Sequence, residues 1–168
     1  MSKIIIRNPK IEDLDSMLEM VNSVIDEKAM ISLQERQTKA SEKRFLRDVI
    51  KKIENKRIIT KILDEDGAVM GICSVEPCPW LQHHIGEMGI FLKKEARGRG
   101  LGKKLFLEVI REGIKVFKFK ILKLLVFSKN KPAIGMYKNS GFKKVATIKG
   151  GAIYYGSYED DDIMVKYL

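Results

Sequence analysis

The stretch Arg97-Gly98-Arg99-Gly100-Leu101-Gly102 constrains the fold of this chain more than any other part of its sequence. It follows a hydrophobic run that ends at Leu92, and it opens an amphipathic pattern that continues to about Lys115. A strand that passes through closely spaced glycines into a helix exposes backbone N–H groups and the positive end of a helix dipole at one place. The sequence therefore predicts a turn that binds phosphate.

Two common nucleotide-binding motifs do not fit this turn. The Walker spacing G-x-x-x-x-G-K-[ST] fails because Arg97 stands five residues before Gly102 and Lys104 follows Lys103. The dinucleotide fingerprint G-x-G-x-x-G fails because it would require a third glycine at position 103. The pattern that remains is R-x-x-G-x-G, formed by Arg97, Gly100 and Gly102.

Length and composition predict one globular domain over residues 1–168. A chain of 168 residues with 45% apolar and 32% charged side chains can bury a core without disulfides or metals. The N-terminal residues lack the long apolar segment of a signal peptide, so we expect a cytoplasmic protein without a membrane partner. Whether the chain forms a homodimer is left open.

The net charge of +10 predicts affinity for a polyanion, either nucleic acid or a phosphorylated cofactor. The charge is densest at the glycine-rich turn, where six cations fall within twelve residues: Lys93, Lys94, Arg97, Arg99, Lys103 and Lys104. No recognition helix and no stacking platform of aromatic side chains accompanies this charge. Nucleic acid is therefore not expected to be the main partner.

The spacing of apolar residues predicts the order β-α-α-β-β-β-α-β-α-β-β, which describes an α/β chain with helices on a mixed sheet. Asp64-Glu65-Asp66-Gly67 is a hairpin signature, and Ser41 is the predicted cap of the second helix. Pro132 and Gly141 mark the start and the end of the last helix. Residues 149–161, rich in Gly, Tyr and Asp, predict a loop between the final two strands.

The glycine-rich turn and a second block downstream together resemble the GNAT superfamily of N-acetyltransferases. The first block includes Gly89-Ile-Phe-Leu92 before Arg97. The second is Asn130-Lys-Pro-Ala133-Ile-Gly-Met-Tyr137, followed by Gly141-Phe142, and it is similar to the family's N-x-x-A-x-x-x-Y and G-F. The resemblance spans most of the chain. It implies a GNAT-like fold, with a central twisted mixed sheet of about seven strands, about four flanking helices, and strands splayed at the cofactor site.

The resemblance also implies that acetyl-CoA is the acetyl donor, with CoA as a product. Ile90, Phe91 and Leu92 would pair with its pantetheine arm, and a bulge in residues 89–92 would free an N–H to stabilise an oxyanion. Asn130 would contact the cofactor or anchor the splayed strand, and Ala133 is a further candidate to bind the cofactor. The pyrophosphate is expected on the backbone amides of the turn: Arg97, Gly98, Arg99, Gly100, Leu101, Gly102 and Lys103.

Acetyl transfer to an amine requires the neutral amine, and the acceptor sets the cost of deprotonation. At pH 7 this cost is on the order of 1 kcal/mol for an α-amine of pKa about 8, and about 5 kcal/mol for a lysine-like amine of pKa about 10.4. Glu87 is the predicted general base, and His83, His84 and water remain open alternatives. Tyr137 matches the family tyrosine that protonates the departing CoA thiolate.

The acceptor is the least defined part of the site. It is expected to depend on residues 20–39, 77–84 and 150–162. The acidic run 159–162 could receive a cationic acceptor, but a run of this kind is usually a solvated turn. No metal site is predicted, because the spacing of the two cysteines and two histidines does not suit zinc. Three tyrosines are candidates to line the acceptor pocket: Tyr154, Tyr155 and Tyr158.

These observations predict an acyltransferase that moves an acetyl group from acetyl-CoA to a primary amine of a small molecule or amino acid. Direct attack of the amine through a tetrahedral intermediate is the expected route, since no cysteine nucleophile is needed. Acetylation of a protein N-terminus or lysine is the close alternative. A non-catalytic basic module that binds nucleic acid is the alternative from another functional class.

Overall fold

The computed structural model describes residues 2–168 as a seven-stranded mixed sheet with four α-helices, in the predicted order along the chain. The α/β fold class predicted from the sequence is therefore confirmed. The strands are β1 (Ile4–Arg7), β2 (Ile59–Glu65), β3 (Ala68–Pro77), β4 (Ile85–Leu92), β5 (Ile121–Phe127), β6 (Lys143–Tyr154) and β7 (Ser157–Tyr167). The helices are α1 (Leu14–Asp26), α2 (Lys39–Glu54), α3 (Leu101–Phe117) and α4 (Lys131–Lys138).

The sheet is split at its centre, between β4 and β5. Its strand order is β1-β2-β3-β4-β5-β7-β6, and β4 and β5 are its parallel pair. They pair at three positions only, Ile85–Glu87 against Ile121–Lys123. Beyond Glu87, β4 continues along β3 while β5 continues along β7. The two strands therefore form a V that opens towards their C-terminal ends, as the predicted splay requires.

The splay arises without the bulge that was predicted in residues 89–92. Every residue from Gly86 to Leu92 has a partner on β3, in one unbroken register. The prediction of a bulge was therefore wrong. β5 is paired with β7 along its whole length, so it diverges from β4 as part of a second block of strands.

The helices cover the two faces of the sheet unequally. Helices α1 and α2 pack on one face, where Met17 and Leu46 join Ile72 of β3 in a buried cluster. Helices α3 and α4 pack on the other face, where Phe106 and Tyr137 join a larger cluster. Among residues 2–168, no helix is both long and apolar enough to cross a membrane.

Two tight hairpins have the turn geometry that their sequences favour. Asp66 and Gly67 join β2 to β3 with φ of 52° and 89°, the positive values that a two-residue type I′ turn requires. Tyr155 and Gly156 join β6 to β7 in the same way, with φ of 46° and 81°. Gly141, with φ of 90°, ends the α4 region as predicted, and the Phe142 N–H donates to the Tyr137 carbonyl at 3.0 Å.

Two local predictions are corrected. Thr38, not Ser41, is the N-cap of α2, and Ser41 is the third residue of a reciprocal capping box in which its N–H donates to the Thr38 hydroxyl at 3.1 Å. The predicted loop 149–161 is instead strand on both sides of a two-residue turn. Gly150 and Gly151 lie in a register irregularity of β6, where glycine marks a bulge and not the end of a strand.

Candidate active site

A cavity of about 1,000 Å³ occupies the V between β4 and β5. It reaches the N-terminus of α3 on one face of the sheet and the side chains of α2 and of the connection between α1 and α2 on the other face. All of the predicted site residues except Arg99 and Leu101 line it: Glu87, Ile90, Phe91, Leu92, Arg97, Gly98, Gly100, Gly102, Lys103, Asn130, Ala133 and Tyr137. Residues separated by up to 50 positions in sequence thus meet at one site.

The first turn of α3 presents free backbone donors to this cavity. Gly100 is the N-cap with φ of 75°, and the first N–H bonded within the helix is that of Lys104, which donates to the Gly100 carbonyl at 3.2 Å. The N–H groups of residues 101–103 therefore have no acceptor inside the helix. Lys103 adds a cation that is in no ion pair within residues 2–168. The turn has the donors and the charge that an anion needs.

The glycines of the turn leave room beside these donors. A Cβ atom built on Gly98 or Gly100 would meet no other atom within 4 Å, so the groove next to the backbone is open. Gly102 has a different role, because its Cβ would lie 3.2 Å from Leu92 Cδ1. Glycine at position 102 lets α3 approach β4 closely. A diphosphate fits this site sterically and electrostatically.

The side chains of the two arginines of the turn form ion pairs with carboxylates of the protein itself. Arg97 donates from Nε and an Nη atom to the Leu92 carbonyl, at 3.0 and 2.6 Å, and pairs with Glu27. Arg99 makes a two-pronged contact with Glu65 of β2, at 2.9 and 2.7 Å. Arg99 therefore turns away from the cavity, and Leu101 is buried in the core. Arg99 and Leu101 can therefore contact an anion only through their backbone amides.

Glu87 lies on β4 with its side chain on the α1–α2 face of the sheet. It is half-exposed and pairs with Lys123 of β5, with 3.3 Å between the Glu87 carboxylate and Lys123 Nζ. The buried Cys78 thiol donates weakly to the same carboxylate at 3.9 Å. Burial lowers the pKa of Lys123, but the hydrogen bond and charge of Glu87 outweigh this, so the net shift is upward. Glu87 thus reaches the cavity as an ion-paired carboxylate.

Tyr137 lies on α4 on the opposite side of the V. Its ring packs against Phe106 and Phe142, with centroid separations of 5.3 and 6.2 Å. Burial raises the pKa of Tyr137 well above its usual value. Its hydroxyl has no hydrogen-bond partner among the described residues, yet the residue lines the cavity. The hydroxyl is therefore a protonated donor that is available to a ligand.

Asn130 has a structural role that its motif did not reveal. It is the N-cap of α4, where its side-chain oxygen accepts from the Ala133 N–H at 3.3 Å. Asn130 also lines the cavity. Asn130 and Ala133 thus fix the start of α4 at the open end of the V.

The two histidines lie outside the cavity in this structure. His83 is exposed and its Nδ1 is 3.2 Å from the Trp80 carbonyl, while His84 follows it in the β3–β4 loop. None of residues 77–84 lines the cavity. Cys73 is buried within β3, and burial raises the pKa of its thiol. Within residues 2–168, no group of three or more potential ligand side chains is arranged to hold a metal ion.

The α1–α2 face of the cavity is roofed by contacts that no local motif predicts. We call residues 27–38 the α1–α2 connection. Gln34 of this connection donates to the Ile153 carbonyl at 2.6 Å and accepts from the Tyr155 N–H at 2.8 Å. Tyr154 donates to the Lys28 carbonyl. The connection and the β6–β7 hairpin thereby bridge the two halves of the sheet above the V.

The residues that line this face were mostly missed. Three predicted tyrosines do not line the cavity, since Tyr154 and Tyr155 hold the α1–α2 connection and Tyr158 is exposed. The side chains that do line it come from the α1–α2 connection and five helices and strands, and they carry no shared spacing: Met30, Ile31, Phe45, Ser74, Leu125, Phe127, Ile153 and Asp161. Only the predicted dependence on residues 20–39 and 150–162 pointed to any of them.

The comparisons with known proteins agree with this architecture. Residues 25–142 match the model of the acetyltransferase (GNAT) family, and no curated sequence matches the chain. The chain is similar to the acetyltransferase of GNAT family from Streptococcus pneumoniae, with 25% identity, a TM-score of 0.86 and 99% of each chain covered. A ribosomal-protein-alanine N-acetyltransferase from Brucella melitensis shares 23% identity, with a TM-score of 0.86 over 98% of this chain and 99% of that one. Salmonella typhimurium yncA, solved with its cofactor acetyl-CoA, shares 19% identity and a TM-score of 0.84 over 98% and 94%.

Proposed function

This chain belongs to the acetyltransferase (GNAT) family, which uses acetyl-CoA, and we propose that it acetylates a primary amine of a small molecule or amino acid. One observation carries the proposal. A single cavity runs from the free N–H groups of α3, through the V, to the α1–α2 face of the sheet. An anionic donor and an amine acceptor can therefore enter from opposite faces and meet inside the sheet.

The donor end of the cavity fits a diphosphate. The N–H groups of residues 101–103 and the positive end of α3 would hold it, and Lys103 would add charge. The open groove at Gly98 and Gly100 gives the backbone access to it. Bound acetyl-CoA supplies an activated acetyl thioester. Beyond Glu87, the edge of β4 that faces β5 is unpaired, and it offers backbone groups to the rest of that molecule.

The V holds a carboxylate on its α1–α2 face and a phenol on its α3–α4 face. Glu87 would take the proton that the amine must lose, directly or through water, and Lys123 keeps this carboxylate oriented. Tyr137 would donate a hydrogen bond to the leaving thiolate. Burial raises the pKa of Tyr137, which makes full proton transfer to the thiolate less favourable, so this phenol would act chiefly by donating a hydrogen bond to the departing sulfur.

Acetylation of a protein N-terminus is the second candidate. It is favoured by the structural likeness to the ribosomal-protein-alanine N-acetyltransferase of Brucella melitensis. The roof formed by the α1–α2 connection and the β6–β7 hairpin is compatible with a small amine and with an extended protein N-terminus, because both are narrow. A lysine on the surface of a folded domain would have to pass beneath this roof.

Binding and turnover test the proposal in sequence. Acetyl-CoA at a hundred times its Kd should stabilise the protein by about 2.7 kcal/mol in a thermal-shift measurement. Release of free CoA is then followed with free amino acids, alkylamines and short unblocked peptides. Turnover with peptides alone would favour the second candidate. No shift with acetyl-CoA, together with a salt-sensitive shift with RNA, would instead identify a basic nucleic-acid-binding module.

A further inference from the structure

The acidic run 159–162 is part of strand β7, and not the solvated turn predicted from the sequence. One of its four carboxylates has no lysine partner in the part of the chain that the structure describes. Three of its four carboxylates are paired with lysines. Glu159 is 2.8 Å from Lys129, Asp160 is 2.7 Å from Lys149, and Asp162 is 3.5 Å from Lys144. Asp161 is in no ion pair within residues 2–168, and it is the one carboxylate of the four that lines the cavity.

The strand pairing puts Asp161 on the acceptor face. Asp161 lies opposite Phe127 of β5 and opposite Ile148 of β6. Residues directly opposite in antiparallel strands project to the same side of a sheet. Phe127 is four residues after Lys123, the partner of Glu87, so Asp161 shares the α1–α2 face with Glu87. Both carboxylates thus face the acceptor, while the N-terminus of α3 lies on the other side.

The surroundings of Asp161 are mainly apolar and aromatic. Phe127 and Ile153 line the cavity with it, and the Tyr154 ring packs edge-on against Phe127 at 5.4 Å. Asp161 is only partly exposed. Burial raises the pKa of Asp161, and the negative charge of Asp162 adds to the shift. An unneutralised carboxylate in this setting gains from any cation that binds beside it.

Among residues 2–168, none of the cations that line the cavity or form an ion pair on its α1–α2 face contacts Asp161. On the same face, Lys129 is paired with Glu159 and Lys123 with Glu87. Of the two cations that line the cavity, Arg97 is paired with Glu27, and Lys103 lies in the first turn of α3 on the opposite face. A cationic ligand would therefore supply the positive charge that Asp161 lacks.

We propose that Asp161 binds an ammonium group of the acceptor, and this inference rests on the proposed function. The acceptor is then an amine whose cation lies against Asp161 and whose apolar part lies against Phe127 and Ile153. Asp161 is a positioning and specificity residue in this scheme, and it does not remove the proton. A carboxylate that holds an ammonium ion favours the protonated form, so the proton has to leave towards Glu87 or water.

The first experiment measures binding to the CoA complex, which carries no acetyl group and cannot react. Hexylamine and 1-hexanol are titrated by calorimetry into protein saturated with CoA. We expect the wild-type protein to bind hexylamine more tightly than hexanol, and Asp161→Asn to bind hexylamine about 10- to 100-fold more weakly, the range for a lost hydrogen bond to a charged group. Asp161→Glu should restore part of the preference.

Asp160→Asn is the matched control, because Asp160 is the adjacent acidic residue of β7 and is already paired with Lys149. It should leave hexylamine binding unchanged. An equal preference for hexylamine in wild-type protein and Asp161→Asn would overturn the inference. Failure of CoA to bind the wild-type protein would sink the proposed function, and the role of Asp161 would fall with it.

A second experiment identifies which ammonium group is held. Steady-state rates with acetyl-CoA are compared for hexylamine and 1,6-diaminohexane. An increase in KM for both amines in Asp161→Asn would assign Asp161 to the amine that becomes acetylated. An increase for the diamine alone would assign it to a second cation, and both results support ammonium binding. A fall in kcat at unchanged KM would contradict the inference, since it would identify a base and not an anchor.

Discussion

The two ends of the central cavity are built from different parts of the polypeptide. The donor end is mostly backbone: the N–H groups of residues 101–103, with Gly98 and Gly100 keeping the space beside them open. The acceptor end is made of side chains from separate elements, including Phe45 of α2 and Asp161 of β7. One end is encoded by six consecutive residues and the other by residues more than 100 positions apart.

This difference explains how each end can vary. A phosphate site made of main chain tolerates most side chains but requires glycine where φ is positive or where space is needed. An acceptor site made of side chains can change with any single substitution while the sheet is maintained. The variants below test whether the donor end depends on backbone conformation and the acceptor end on individual side chains.

Gly100→Asp should have the largest effect, with loss of acetyl-CoA affinity of more than about 100-fold. The substitution adds a side chain and a negative charge at the open groove, and it forces φ of 75° on a residue with a Cβ. Calorimetric titration with acetyl-CoA measures it. Gly67→Asp is the control, since Gly67 also has a positive φ and open space but lies in the β2–β3 turn. Equal affinity in the two variants would refute the backbone site.

Tyr137→Phe should lower kcat by about 100-fold and leave the Kd for acetyl-CoA within about threefold. The ring still packs against Phe106 and Phe142, so only the hydrogen bond to the leaving sulfur is removed. Tyr167→Phe, at an exposed position near the end of β7, controls for the loss of a hydroxyl as such. Unchanged turnover in Tyr137→Phe would reduce this residue to a packing role.

Glu87→Gln should lower kcat by about tenfold with an alkylamine of pKa near 10.4, and by less with an α-amine of pKa near 8. The reason is that only the more basic amine strongly requires a base. Glu76→Gln is a close control, because Glu76 lies directly opposite Glu87 on the same face and does not line the cavity. The same loss with both amines would argue that Glu87 only positions the acceptor.

Arg99→Gln should have the smallest effect on the reaction, with acetyl-CoA affinity changed by less than about threefold. Its guanidinium and Ser2 hold the pKa of Glu65 at about 2, below the ordinary value of 4.5. A carboxyl with a lowered folded-state pKa stabilises the fold above its unfolded pKa and loses that effect as the pH falls through the folded one. The stability difference between wild type and variant should therefore be full above pH 4.5 and shrink towards pH 2.

Urea unfolding at a series of pH values measures this difference for Arg99→Gln. A large loss of acetyl-CoA affinity would show that the Arg99 side chain, and not only its amide, belongs to the donor end. A difference in stability that grew on acidification would contradict the ion pair with Glu65.

The sequence predicted the fold because its signals are local and periodic. Apolar spacing predicted the helices and strands in their correct order, and Asp66-Gly67 specified the turn that it forms. The predicted loop 149–161 failed because Gly150 and Gly151 were interpreted as a break, whereas they form an irregularity within a paired strand. Pairing with β7 determines whether these glycines end the strand or lie within it, and strand pairing depends on residues that are distant in sequence.

The candidate site residues also divide into those with a local sequence signal and those whose position depends on distant residues. The contributions of Gly98, Gly100 and Lys103 were predictable because helix geometry places them beside free N–H groups. The cavity position of Asp161 was not predictable, since it depends on its register against Phe127 and on lysines far away in sequence. The ion pairs of the two turn arginines were equally hidden, because Glu27 and Glu65 come from distant elements.

The gap between β4 and β5 also bears on aggregation. An unpaired strand edge normally invites pairing with another chain, and proteins protect such edges with charges, bulges or covering elements. Here the unpaired edge faces inward, closed at one end by the three pairs at Ile85–Glu87 and roofed by the α1–α2 connection. These elements cover the edge to which a neighbouring molecule's strand would pair. The protein thus keeps an open strand edge for a thin ligand without exposing it to other copies of itself.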